Sequence, residues 1–212
     1  MTGRRSRRVV GAALAFGALA AGALVAACSR SVPSPISVSE LGDASLDVVL
    51  TAETQVREDE VVFTYRLENR GHESVWLGGS ERGLAVPDDT TRGGVAVVRA
   101  FFPVRTDHEW LYPPHSEVSE LVAGEVEEGE LTAERPFASF TDLDGDRAVT
   151  LPRSPSSVRL CVAYVPDSSF DPEWRPSDDD GTGAGKDGLW IEQQTGFLMQ
   201  RLACSAAVPL GG

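Results

Sequence analysis

Lysine is almost missing from this chain of 212 residues: Lys186 stands alone among 19 basic residues, and Asn69 is the lone asparagine. Such a skew is the codon bias of a GC-rich genome and says nothing about function. Other absences exclude more. Beyond residue 28 there is no G-x-S-x-G, H-E-x-x-H or S-x-x-K, so the common serine and zinc hydrolase signatures are missing. No segment there keeps a 3.6-residue amphipathic period, which argues against an α/β fold and the nucleotide site such folds carry. The near-match to a phosphate loop at 180–187 fails. Asp180 stands where the first glycine is required, Asp187 follows Lys186, and the adjacent carboxylates Asp178, Asp179 and Asp180 would repel phosphate. No catalytic residue and no cofactor is therefore expected.

What is present begins at the N-terminus. Four arginines (Arg4, Arg5, Arg7, Arg8) precede an uncharged run from Val9 to Ala27, which leads directly into Val25-Ala26-Ala27-Cys28. A basic head, an apolar run and small residues before a break are the parts of an export signal. The arginines stay on the cytoplasmic side while the apolar stretch enters the bilayer. The last four residues resemble the lipobox of bacterial lipoproteins. That resemblance implies a signal peptide at 1–27, cut before Cys28, and a diacylglycerol with its palmitate-type chains on the Cys28 sulfur. The rest of the chain would then hang from a cell membrane on its extracytoplasmic face. The alternative is an uncleaved helix, because about 19 uncharged residues just suffice to span roughly 30 Å of hydrocarbon. Both readings place everything after Cys28 outside. A two-chain anchor, at about 0.8 kcal/mol per buried methylene, holds where a single myristoyl chain would not.

Without residues 1–27 the chain keeps 15 basic residues against 32 acidic ones, a formal charge of −17. That field repels phosphate backbones, so nucleic acid is not an expected partner. It also holds the domain off anionic lipid, leaving the acyl anchor as the membrane contact and an envelope protein or peptide as the expected partner. Once Cys28 is given to lipid, Cys161 and Cys204 remain as a pair in an oxidising compartment, and a disulfide is the inference. Closing a loop of about 44 residues would contribute roughly 4 kcal/mol on the chain-entropy model. Metal binding by two lone thiolates is the lesser alternative.

Residues 28–44 read as the lipidated cysteine and a Ser/Pro-rich tether, and 45–212 as one ectodomain. Within it apolar residues alternate with period two at Leu46, Val48, Leu50 and Ala52, then at Val61, Phe63, Tyr65 and Leu67. Asn69 to His72 reads as a turn and 74–77 as the return strand of a hairpin. Further strands are expected at 94–104, 117–122, 130–133, 148–151, 158–165 and 197–208. Short alternating strands about ten residues apart predict an all-β fold, a β-sandwich, with a β-barrel as the alternative. The segment from Val62 to Leu77 resembles the early strands of immunoglobulin-like domains in bacterial secreted proteins, although both paired cysteines lie late. The resemblance implies an immunoglobulin-like β-sandwich.

Few residues suggest chemistry. His108 and His115 flank Glu109 and Trp110 and are candidate ligands for zinc or copper, a metal-delivery reading set against a plain surface loop. Asp142, Asp144 and Asp146 match the first ligands of a calcium loop, but Arg147 and Arg153 occupy its glycine and glutamate positions, which favours an Asp-Gly turn. The acidic stretch at 166–188 is the longest irregular segment. Trp110, Tyr112 and Trp174 lie in loops and are candidate binding aromatics, whereas Trp76 and Trp190 sit in strand-like surroundings. A lipid-anchored binding module is thus the leading expectation, ahead of a metal-binding lipoprotein and of a hydrolase with an unrecognised site. The cysteine assignment is checked by thiol counting. The unfolded, unreduced chain should show no reactive thiol at Cys161 or Cys204, and two after reduction.

Overall fold

In chain order the elements of the computed structural model are α1 (Val38–Leu41), β1 (Asp43–Ala44), β2 (Val48–Val56), β3 (Glu60–Asn69), β4 (Val75–Gly78), β5 (Leu84–Asp88) and β6 (Gly94–Arg99). They continue with β7 (His115–Leu121), β8 (Val126–Glu134), β9 (Ser157–Pro166), a 3-10 turn (Asp167–Ser169), β10 (Leu189–Glu192), α2 (Gln193–Met199), β11 (Arg201–Cys204) and β12 (Val208–Pro209). The residues described are 36–78, 83–104, 114–140, 149–170 and 189–211. Among them two sheets pack face to face without closing into a barrel, which is the expected all-β sandwich.

The smaller sheet is the antiparallel meander β2-β3-β8. Period-two alternation sends Val48, Leu50, Val61, Phe63, Tyr65, Leu67, Leu131 and Ala133 inward. Glu53, Thr64, Arg66, Glu128 and Glu130 face out. The larger sheet runs β1-β11-β9-β4-β7-β10, with β6 and β12 also on β9 and β5 on β6. Its centre is β9. Val158, Leu160, Val162 and Tyr164 face the small sheet, while Cys161 and Ala163 pack on the opposite side with Val86, Ala96, Val98 and Phe102. A strand buried on both faces cannot alternate, which explains the unbroken apolar run from Leu160 to Val165.

Cys161 and Cys204 are directly opposed on β9 and β11 and form the disulfide, with Cα atoms 4.1 Å apart. Such spacing is that of a non-hydrogen-bonded antiparallel pair. The bridge therefore staples neighbouring strands within one sheet.

The expected hairpin at 62–77 is instead an arch: β3 stays in the small sheet and β4 joins the large one, between β7 and β9. Both edges of β3 are already taken by β2 and β8, so β4 has no place beside it. Asn69 makes the crossing. It is fully buried, its amide donates to the Glu73 carbonyl at 2.9 Å and the Leu121 carbonyl at 3.0 Å, and its Oδ1 accepts from the Gly71 N–H at 3.0 Å. Its main chain pairs with Glu125 and Gly124. One side chain thus ties three segments at the top of both sheets.

Four further expectations need correction. The segment from Ile36 to Leu41, read as part of the tether, packs into the domain: Val38 and Leu41 are buried and Ile36 lies beside them. The Ser37 N–H donates to the Glu40 carboxylate, half of a capping box, and Asp89 accepts from Ser37 and Ser39. Leu46 is 92% exposed and precedes the strand that starts at Val48. At 149–151 no strand forms; Val149 is buried and bonds the Phe140 carbonyl. Residues 197–199, read as strand, end helix α2. That helix rests on the Phe101 ring. A Cβ on Gly196 would lie 2.5 Å from it, and one on Gly78 would lie 2.0 Å away, so the ring is held between two glycines. The buried Gln200 amide then satisfies both the N–H and the carbonyl of Phe101, at 3.0 and 2.8 Å.

Asn69→Ala should destabilise the fold by about 2–4 kcal/mol, since it orphans the buried Leu121 carbonyl and releases the arch. Asn69→Asp should be comparably damaging because a carboxylate cannot donate. Urea unfolding checks both. A loss under about 0.5 kcal/mol would show that the arch does not depend on Asn69.

Candidate functional site

Most of the candidate site residues read from sequence lie outside the described residues: Cys28, His108, Trp110, Tyr112 and Trp174, together with the aspartates at 142, 144 and 146 and the acidic stretch 171–188. His115 opens β7 and stands across from Glu192 of β10. Among the described residues no three His, Cys, Asp or Glu side chains converge on a point that could hold a metal ion. Trp76 is buried and donates from Nε1 to Asp167 at 3.1 Å, a core role, while Trp190 on β10 is half-buried.

Three polar arrangements remain as places for chemistry. The first spans the sheets. The Tyr65 hydroxyl donates to Glu127 at 3.0 Å, and Arg99 Nη1 reaches the same carboxylate oxygen at 3.1 Å. Gly129 lies opposite Tyr65, where a Cβ would meet the phenol at 2.7 Å. Tyr65, Glu127 and Arg99 Nη1 pair with one another at the side of the sandwich, while the buried Arg99 Nε has no hydrogen-bond partner among the described residues. Burial first, and then the Glu127 charge, raises the Tyr65 pKa, with Arg99 pulling the other way. Tyr164 is likewise raised by burial, against its hydrogen bond with Ser45.

The second is a small hollow of about 210 Å³ at the arch end, between Asp47, His72, Glu73 and Tyr164. Two of its polar side chains are already engaged. Glu73 accepts from the Ser168 N–H and hydroxyl at 2.6 and 2.8 Å, and Tyr164 bonds Ser45. His72 and Asp47 on its rim are exposed.

The third is larger, about 640 Å³, at the opposite end, where the β2–β3 turn, the chain after β8 and the approach to β9 meet. Phe137 and Leu151 are half-buried and pack onto the core, so they form a fixed floor. Pro136, Pro152 and Pro155 make stiff walls, and Arg135 and Arg153 supply two cations. Arg135 donates from Nη1 to the Arg57 carbonyl at 2.9 Å; Arg153 is exposed. Among the described residues Glu58 is the one acidic side chain on the rim. Volume, rigidity and mixed apolar and cationic lining are those of a ligand hollow. Of these residues only Arg153 is singled out by the sequence, and for another reason, because the feature comes from two segments more than a dozen residues apart.

The two buried phenols carry a pH consequence. Each binds its proton more tightly in the folded chain than at the ordinary phenol value near 10, so the stability it contributes is complete below that pH and falls as pH rises through it. Ultraviolet titration should find at least two of the three tyrosines, Tyr65 and Tyr164, ionising late, and Tyr65→Phe should remove one of them. Titration of every phenol near pH 10 in the folded chain would contradict this. Compared with known protein families, curated proteins and solved structures, the chain gives no match, so its functional reading rests on its own residues.

Proposed function

We propose that this protein is a lipid-anchored binding module on the extracytoplasmic face of a bacterial cell membrane, whose partner is a protein or peptide of the envelope. The observation that carries the reading is Val25-Ala26-Ala27-Cys28 at the end of an uncharged run behind four arginines. The Cys161–Cys204 disulfide agrees with an oxidising compartment. The charge of the exported part disfavours nucleic acid and anionic lipid as direct partners.

Intact mass spectrometry of the membrane fraction tests the anchor. The chain should begin at Cys28 and carry the mass of a diacylglycerol, and Cys28→Ser should remove that modification. An intact Met1 with a free Cys28 thiol would overturn the anchor. Cross-linking from the membrane-bound chain should recover an envelope partner; recovery of none would overturn the binding role.

A further inference from the structure

We infer that the hollow between Arg135–Phe137 and Leu151–Pro155 takes the carboxylate end of a short extended peptide. The inference rests on the binding-module reading and names its site and ligand class. The first support is charge. Six of the nine described arginines have a carboxylate within 4.0 Å: Arg57, Arg66, Arg70, Arg99, Arg159 and Arg201. In a chain with 32 acidic residues against 19 basic ones, an arginine without a carboxylate is the exception. Arg92, Arg135 and Arg153 are the exceptions among the described residues, and two of these three line this one hollow.

The walls narrow the ligand further. Pro136, Pro152 and Pro155 carry no N–H, so this surface cannot extend a partner strand by backbone pairing on those residues. Recognition falls to the guanidinium forks, which match a carboxylate in geometry and charge, and to apolar contact over Phe137 and Leu151. Arg135 uses one donor on the Arg57 carbonyl and keeps others, and Arg153 is uncommitted. Glu58 on the rim opposes a second negative charge, which selects a monocarboxylate over a polyanion. A volume of about 640 Å³ suits the last few residues of a chain and is far too small for a folded domain. Because the floor is packed on the core, binding costs little ordering of the site.

The test uses the full-length chain in detergent and a dye-labelled pool of tetrapeptides with apolar C-terminal residues, prepared as free acids and as C-terminal amides, with binding read by fluorescence anisotropy. The free acids should bind and the amides should bind at least about tenfold more weakly, the loss of a charge-assisted hydrogen-bond pair. Arg153→Ala should cost a similar factor, and Arg153→Lys should recover only part of it. Arg153 is exposed, so its replacement should leave thermal unfolding unchanged; Arg135→Ala is read only if it does the same. Equal binding of acids and amides, no binding up to millimolar peptide, or an Arg153→Ala chain that binds like the parent would each overturn the inference. Displacement of the peptide by an equal concentration of octanoate would also overturn it, reassigning the hollow to small carboxylates. The Cys28→Ser chain run beside the parent separates the two readings: binding kept without a lipid leaves the hollow standing when the anchor fails.

Discussion

Strand β9 has no solvent side, and the remainder of the fold is arranged to keep it that way. From Val158 to Val165 every described side chain except Arg159 is at most 1% exposed. Each aliphatic residue so buried is worth roughly 1.5–3 kcal/mol, so this strand holds a large share of the hydrophobic stabilisation. One face needs the small sheet. The other needs α1, the Phe102–Phe140 ring pair with centroids 4.1 Å apart, and the chain around them. Both edges are occupied as well, by β6 and β4 on one side and by β11 and β12 on the other.

A strand buried this completely favours pairing of the polar groups around it, although the buried Nε of Arg159 has no hydrogen-bond partner among the described residues. Arg159 is the polar residue of β9, and it reaches Asp88, whose side chain is 1% exposed, at 2.7 Å. The threonines 90 and 91 supply the remaining bonds to that carboxylate. Asn69 and Gln200 do the same work for main chain. Each uses an amide to satisfy a carbonyl and an N–H that no neighbouring strand can reach. Asn69 and Gln200 mark where chain leaves or enters a sheet inside the protein, which is where an unpaired backbone group costs most.

The two ends of the sandwich differ in how their polar groups are used. At the arch end Glu73 is engaged with Ser168 and Tyr164 with Ser45. At the other end the segments 135–137 and 151–155 meet over the core floor with two arginines that, among the described residues, have no carboxylate within 4.0 Å, and Glu58 stands on the same rim.

The sequence by itself determined the class of fold, the strands with one buried face, the cysteine pair and the acidic surface. Each follows from local period, parity or composition, which need no knowledge of distant residues. The helix at Val38–Leu41 was not read from the sequence, where its Ser37-Val-Ser-Glu40 start lies in a Ser/Pro-rich run. Only the tertiary structure decided which sheet receives β4, why 197–199 turn as helix, and where an open hollow forms. Alternation at 74–77 predicts a strand but cannot tell that both edges of β3 are taken. Nor can the glycines at 78 and 196 announce that a phenylalanine from residue 101 will lie between them. The physical reason is the same in each case: side-chain period is set by the backbone of a few residues, whereas the choice of partner is set by the volume and hydrogen bonds that segments far apart in the chain leave for one another.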